Sequence, residues 1–216
     1  MEDTQYNKAK TIIAGANALA RELESWINIS SHTKEKYNIV GCLLDDKYVK
    51  DANLAVPVIG QVDLSVFPEN HELLVGITDC KFKEFIFEES KINNVKITSF
   101  IHNTSLIGLR TMLGIGIVML PYSLISCDAT IGNLVFINNG SQIGHDVIIG
   151  DFCSIMANVD IGGNAQIGKN VLIGSNAVIL PGVKIPDNTI IGAGSVVIRT
   201  IKQSGSYFGN PAKKIF

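Results

Sequence analysis

The chain has 216 residues, of which 46% are apolar and 18% charged, with 20 glycines, four cysteines and a formal charge of −2; its mean hydropathy is +0.27. Such a composition can bury a substantial core, which excludes a disordered chain and a disulfide-stapled miniprotein. There is no basic footprint for nucleic acid and no apolar run long enough to span a bilayer, so neither is an expected partner.

The start, Met1-Glu2-Asp3-Thr4, is polar and acidic and does not read as a signal peptide. Cys42, Cys80, Cys127 and Cys153 show no close CxxC pairing, which predicts reduced thiols in a cytoplasmic protein without structural zinc. Residues 1–94 read as a small α/β domain. Thr11–Ala14 is a short apolar strand, Asn17–Ile27 a helix with Trp26 in its core, and Tyr37–Leu44 a second strand ending at Asp45-Asp46. After Val56–Gly60 comes a third strand, Glu72–Ile77, and a helix through Lys81–Glu89. Strand, helix, strand at this spacing implies a half-Rossmann parallel sheet that binds ligands at the carboxyl ends of its strands. Gly15-Ala16-Asn17 and Asp45-Asp46 then face one edge.

From Val95 every sixth residue is apolar through Val197, without insertion or deletion. Four residues after each of these positions, from Ser105 to Ser195, the side chain is Ser, Thr, Ala, Val or Cys, with Ile117 the one larger exception. A period of six fits neither a helix nor a continuous strand, so each hexad is a short strand plus a corner. Three edges close a triangular coil of eighteen residues, and residues eighteen apart stack. The position after each sixth residue is often glycine (Gly108, Gly144, Gly150, Gly162), which we assign to the bend together with the residue that follows it. The parallel β-helix spans residues 95–200, and 201–216 form a tail.

The repeat resembles that of the hexapeptide-repeat acyltransferases, which fold as a left-handed parallel β-helix. With the N-terminal domain and the ending Gly209-Asn210-Pro211-Ala212-Lys213-Lys214, the whole chain is similar to the sugar acetyltransferases that N-acetylate nucleotide-linked 4-amino-4,6-dideoxyhexoses for surface glycans, and to the sialic acid O-acetyltransferases. In that family the first turn reads Gly-x-Gly-Gly-His-x-x-Glu and holds the nucleotide diphosphate. Here it reads Gly15-Ala16-Asn17-Ala18-Leu19-Ala20-Arg21-Glu22: the first Gly and the last Glu match, and the inner glycines and the His do not. Backbone N–H groups at a helix start still favour an anion, and Asp45 or Asp46 stands where such folds hold ribose or base hydroxyls. Gly15, Asn17, Asp45 and Asp46 are therefore the expected substrate-binding residues.

The resemblance makes His145 of Gly144-His145-Asp146 the general base, Asp146 its orienting acid and Asn138 a third member of the site. Histidine suits the task because its ordinary pKa lies near neutrality. Asn138 and His145 are seven residues apart, on different corners of one coil. They meet only if neighbouring chains share a groove, so the chemistry predicts a homotrimer. Gly163, eighteen residues after His145, is the expected amide donor to the thioester oxygen. Ser154 replaces a family histidine near the acyl-donor thiol, and Met156 stacks over Asn138.

Basic residues gather at the end of the chain, where Lys169, Lys184, Arg199, Lys202, Lys213 and Lys214 face Asp187 alone. That end suits the phosphates of acetyl-CoA, with Lys184, Lys213, Gly163 and Ser154 as expected cofactor contacts and the tail against coenzyme A. No metal is expected, since the coil's His102 and His145 lie on different corners. Cys153, Met119 and Leu113 are inward core positions, Cys127 lies one rung below His145, and His102 is assigned no chemistry. Sugar O-acetylation of the sialic acid type and a non-catalytic β-helix scaffold are the alternative readings.

Overall fold

The computed structural model describes residues 10–15, 18–29, 34, 36–44 and 55–215. The chain divides into two compact units, one of residues through Ile77 with Glu89–Thr98, the other Thr78–Glu88 with Ser99–Phe216.

In the first unit, β1 (Lys10–Ala14), β2 (Asn38–Leu44), β3 (Val58–Gln61), β4 (His71–Val75) and β5 (Lys96–Thr98) form one sheet, in the order β3-β2-β1-β4-β5. Every pairing is parallel. Central parallel strands are covered on both faces and so read as unbroken apolar runs; Ile12, Ile13, Leu73 and Leu74 are all fully buried. Helix α1 (Ala18–Ile29) buries Leu19, Leu23 and Ile27, a stripe at four-residue spacing. Trp26, read as core, is only half-buried.

Helix α2 (Cys80–Ile92) starts at Asp79, whose carboxylate accepts the Phe82 backbone N–H at 2.8 Å. Lys83 and Ile86 on its inner face are buried. Its residues through Glu88 belong to the second unit.

The second unit is a left-handed parallel β-helix with three faces of two-residue strands. The first face runs from Phe100–Ile101 to Ile190–Ile191, the second from Leu106–Ile107 to Val196–Val197, and the third from Met112–Leu113 to Lys184–Ile185. Strands pair in parallel with a register of eighteen, as in Gln142 with Asp160 and Ile143 with Ile161. The inward ladder is fully closed by burial: Ile137, Ile143, Ile155, Ile161 and Ile173 are 0% exposed. Each such side chain contributes about 2 kcal/mol of apolar transfer. Polar members of the second ladder satisfy themselves on the backbone, Ser141 Oγ donating to Met156 O at 2.7 Å and accepting from Val159 N–H at 3.1 Å.

Three expectations change. The period was started at Val95, but Lys96–Thr98 is the fifth strand of the α/β sheet and the coil begins at Phe100. The end is more than a tail, because Ser206–Phe208 adds a parallel strand to the first face and Lys213–Lys214 pairs back on it antiparallel. Finally, the frequent glycine is not the left-handed residue of the corner. That conformation falls two positions later, on Asp128 (φ 60°), Asp146 (φ 58°), Asn158 (φ 55°), Asn164 (φ 60°) and Asn176 (φ 59°), residue types that tolerate it. The glycines are required by space instead. A Cβ at Gly150 would lie 2.8 Å from the Gly168 carbonyl carbon on the next coil.

Candidate active site

His145 and Asp146 occupy the corner between the second and third faces. Stacked corners are tied by backbone bonds, with Asp146 N–H donating to Cys127 O at 3.2 Å and Asn164 N–H to His145 O at 2.9 Å. The two side chains are exposed at 58% and 53%. His145 Nδ1 lies 2.7 Å from Asp146 Oδ2. With the carboxylate accepting the Nδ1 proton, Nε2 is left with its lone pair, able to take up a proton from a ligand.

Nε2 also lies directly beneath Gly163. A Cβ at that position would stand 2.6 Å from it, so the ring fits only because residue 163 has no side chain. The stacking expected from the eighteen-residue repeat is therefore present, with Cys127, half-buried, one coil below the histidine.

Asn138 is on the other edge of the second face, half-exposed, and its Oδ1 accepts the Asn139 N–H at 2.7 Å. The fold does not bring it to His145 within the chain, since a whole strand, Gln142–Ile143, separates their corners.

Ser154 needs correction. It was expected beside an open groove, but it is fully buried on the first face, beneath Thr78–Glu88. Its Oγ donates to Thr78 O at 2.6 Å and accepts from Lys83 Nζ at 2.8 Å. Covered in this way, it has no surface for a cofactor. Lys83 is the residue sequence reasoning missed: its ammonium also donates to Cys153 O at 2.8 Å, and burial pulls its pKa from 10.5 to about 8. Cys153, inward as expected, has its thiol pushed up to about 12 by burial.

Lys184 is exposed on the third face, and Lys213 is exposed on the closing antiparallel strand. Lys213 lines a cavity of about 440 Å³ with Arg199, Lys202, Tyr207 and Pro211. The grouping of Arg199 and Lys202 with Lys213 is visible in sequence only as an excess of charge.

In the α/β unit, Gly15 follows β1 at φ 111°, and a Cβ there would meet Gly76 O at 2.8 Å. Gly15 and Gly76 stand at the carboxyl ends of β1 and β4, where the strand order reverses direction, the place where such sheets bind ligands. Asn17, Asp45 and Asp46 lie outside the described residues. Glu22, matched to the family turn, is exposed; the buried acid is Glu24, whose carboxylate accepts Ala55 N–H and Val56 N–H at 3.0 Å each. His102 is buried, with Nδ1 2.9 Å from Thr104 Oγ1.

Among the described residues no group of three or more His, Cys, Asp or Glu is placed to hold a metal ion, and no helix is long and apolar enough to cross a membrane.

Residues 164–199 match the bacterial transferase hexapeptide family (six repeats). No curated protein matches the chain by sequence. Among solved structures, the hexapeptide helix and its α/β partner are similar to PerB from Caulobacter crescentus in complex with CoA and GDP-perosamine, at 26% identity and a TM-score of 0.85, covering 94% of this chain and 96% of that one. The acetyltransferase domain of PglB from Neisseria gonorrhoeae FA1090 shares the fold at 22% identity, with a TM-score of 0.84 over 96% of this chain and 100% of that one. WeeI from Acinetobacter baumannii AYE does so at 21% identity, with a TM-score of 0.67 over 95% and 99%.

Proposed function

We propose that this protein is an acetyl-CoA-dependent N-acetyltransferase acting on the 4-amino group of a nucleotide-linked 4-amino-4,6-dideoxyhexose, in the cytoplasm, as a homotrimer. The observation that carries the reading is the His145–Asp146 pair, with Nδ1 held at 2.7 Å by the carboxylate and Nε2 left against a glycine. The likeness to a structure holding both CoA and GDP-perosamine supports the substrate class.

The sugar amine attacks the carbonyl carbon of the thioester, and His145 Nε2 takes the proton that the nitrogen sheds. The Gly163 amide stabilises the oxyanion. The C–S bond then breaks, and the proton on His145 passes to the departing thiolate, leaving the acetamide and free coenzyme A. Asp146 stabilises the imidazolium formed between these two transfers. Holding amine and thioester in one groove supplies much of the acceleration.

Asn138 enters the groove from a neighbouring chain, because it is on a different corner from His145 in its own. Arg199, Lys202 and Lys213 around their cavity, with Lys184, suit the phosphates of coenzyme A. Gly15, with Asn17, Asp45 and Asp46, takes the nucleotide at the switch point of the α/β sheet. Mass spectrometry of products from a panel of nucleotide-linked 4-amino sugars and free sialic acid tests the reading. One acetyl group on the amine of a nucleotide sugar is the expected product; acetylation of sialic acid alone would replace this reading with O-acetylation.

A further inference from the structure

The corner that carries His145 holds a second charged pair. Arg110 is two coils below, and its guanidinium reaches up to Asp128 in a two-pronged bond, Nε to Oδ1 at 2.6 Å and the terminal nitrogen to Oδ2 at 2.7 Å. Asp128 is eighteen residues before Asp146, in the same left-handed conformation (φ 60° against φ 58°). Its N–H donates to Leu109 O at 3.0 Å, just as the Asp146 N–H donates to Cys127 O, so the two corners repeat one backbone geometry about 4.8 Å apart.

A bidentate Arg–carboxylate pair fixes orientation more firmly than a single surface contact does. The result is an ordered column of charge along one edge of the prism: guanidinium, carboxylate, then the His145–Asp146 pair. The groups stacked on this corner are Asp146 beside His145, Cys127 and Asp128 on the coil below, Arg110 on the coil below that, and the uncharged Gly163 and Asn164 on the coil above.

We propose that Asp128 is a positioning residue for the reaction: its carboxylate, on the coil beneath His145, stabilises the charged imidazolium when the histidine has taken the substrate's proton, with Arg110 as the opposing charge. The inference rests on His145 being the general base. Asp128 is suited to this, because the Arg110 hydrogen bonds, and then one from the Cys127 thiol, keep its carboxyl below the usual range and ionised. The charge of His145 acts on it in the same direction. Arg110 has a second effect of opposite sign. It is itself a positive charge on the column, so it tempers the field that Asp128 exerts.

This gives a signature that a merely structural ion pair lacks. Asp128→Asn removes the charge and one of the two acceptors that Arg110 uses while keeping the turn, since asparagine adopts the same conformation at positions 158, 164, 170, 176 and 188. Arg110→Gln removes the opposing charge and leaves the carboxylate. With isotope-labelled histidine, the ring resonance of His145, assigned by its loss in His145→Ala, is titrated in each variant without substrate. The midpoint is expected to fall in Asp128→Asn and to rise by a smaller amount in Arg110→Gln, at low salt. The double variant returns towards the wild-type value. The acidic limb of the kcat/KM profile follows the same order. Midpoints that stay put, or that move in the same direction in both variants, overturn the inference whatever the activity does. If the midpoints separate as stated but the activity limb ignores them, the column acts on His145 and the general-base reading is what fails.

Discussion

Nε2 of His145 lies where Gly163 would carry a side chain, 2.6 Å from the position its Cβ would take. Gly163→Ala therefore pushes the ring off the corner, and because the ring is the free end of an exposed side chain, the coil itself need not shift. The expected result is a loss in kcat of about a hundredfold with a melting temperature within about 2 °C of wild type. Steady-state kinetics and thermal unfolding on one preparation check both halves.

The two kinds of glycine in the coil predict opposite outcomes. Gly150→Ala drives a Cβ to 2.8 Å from the backbone of the next coil, and its cost is about 1–3 kcal/mol, as for other overpacked sites. Gly182 has φ 71° and nothing within 4 Å of the missing Cβ. Gly182→Asn places at that register the residue type found at five other left-handed corners, and stability should change by no more than about 0.5 kcal/mol. Denaturant midpoints distinguish the two.

Much of this was legible in the chain. The eighteen-residue coil is written in the sixth-residue ladder, and from it follow both the stacking of Gly163 over His145 and the separation of Asn138 from His145. Ser154 was misread because an outward strand position carries no signal of what covers it; the cover, Thr78–Glu88, comes from a distant segment that no period links to the coil. The corner residue was misassigned because glycine marks close approach as readily as positive φ, and the Asn and Asp two positions later carried the better signal. Glu24 lies among other polar residues of α1, with nothing in the pattern to separate it from exposed Glu22.

Lys83 makes stability depend on pH. The folded amine loses its proton near pH 8 and the unfolded one near 10.5. Between these values the unfolded chain binds more protons, so the Lys83 contribution to stability is least favourable below pH 8 and improves as pH rises towards 10.5. The full span is about 3 kcal/mol. Lys83→Met removes the buried charge and with it this slope, and at pH 7 it should unfold at no lower urea concentration than wild type. Urea titrations of both proteins at pH 7, 8 and 9 show whether the difference between them narrows as predicted.

Shared grooves predict complementation. His145→Ala and Asn138→Ala are each expected to be nearly inactive, but in trimers refolded from an equal mixture about one groove in four receives the intact histidine from one chain and the intact asparagine from its neighbour. Recovery of roughly a quarter of wild-type activity fits that arrangement. A mixture no more active than the separate variants would place both residues' work within single chains or outside the site.

The most direct test is acetyl transfer by His145→Ala. Release of free coenzyme A is followed with a thiol reagent, using acetyl-CoA and the nucleotide-linked amino sugar that the wild-type protein acetylates. Removal of a general base from an intact groove predicts a fall in kcat of about 10²–10⁴-fold with the KM for acetyl-CoA little altered. A variant that keeps most of the wild-type rate would contradict the account.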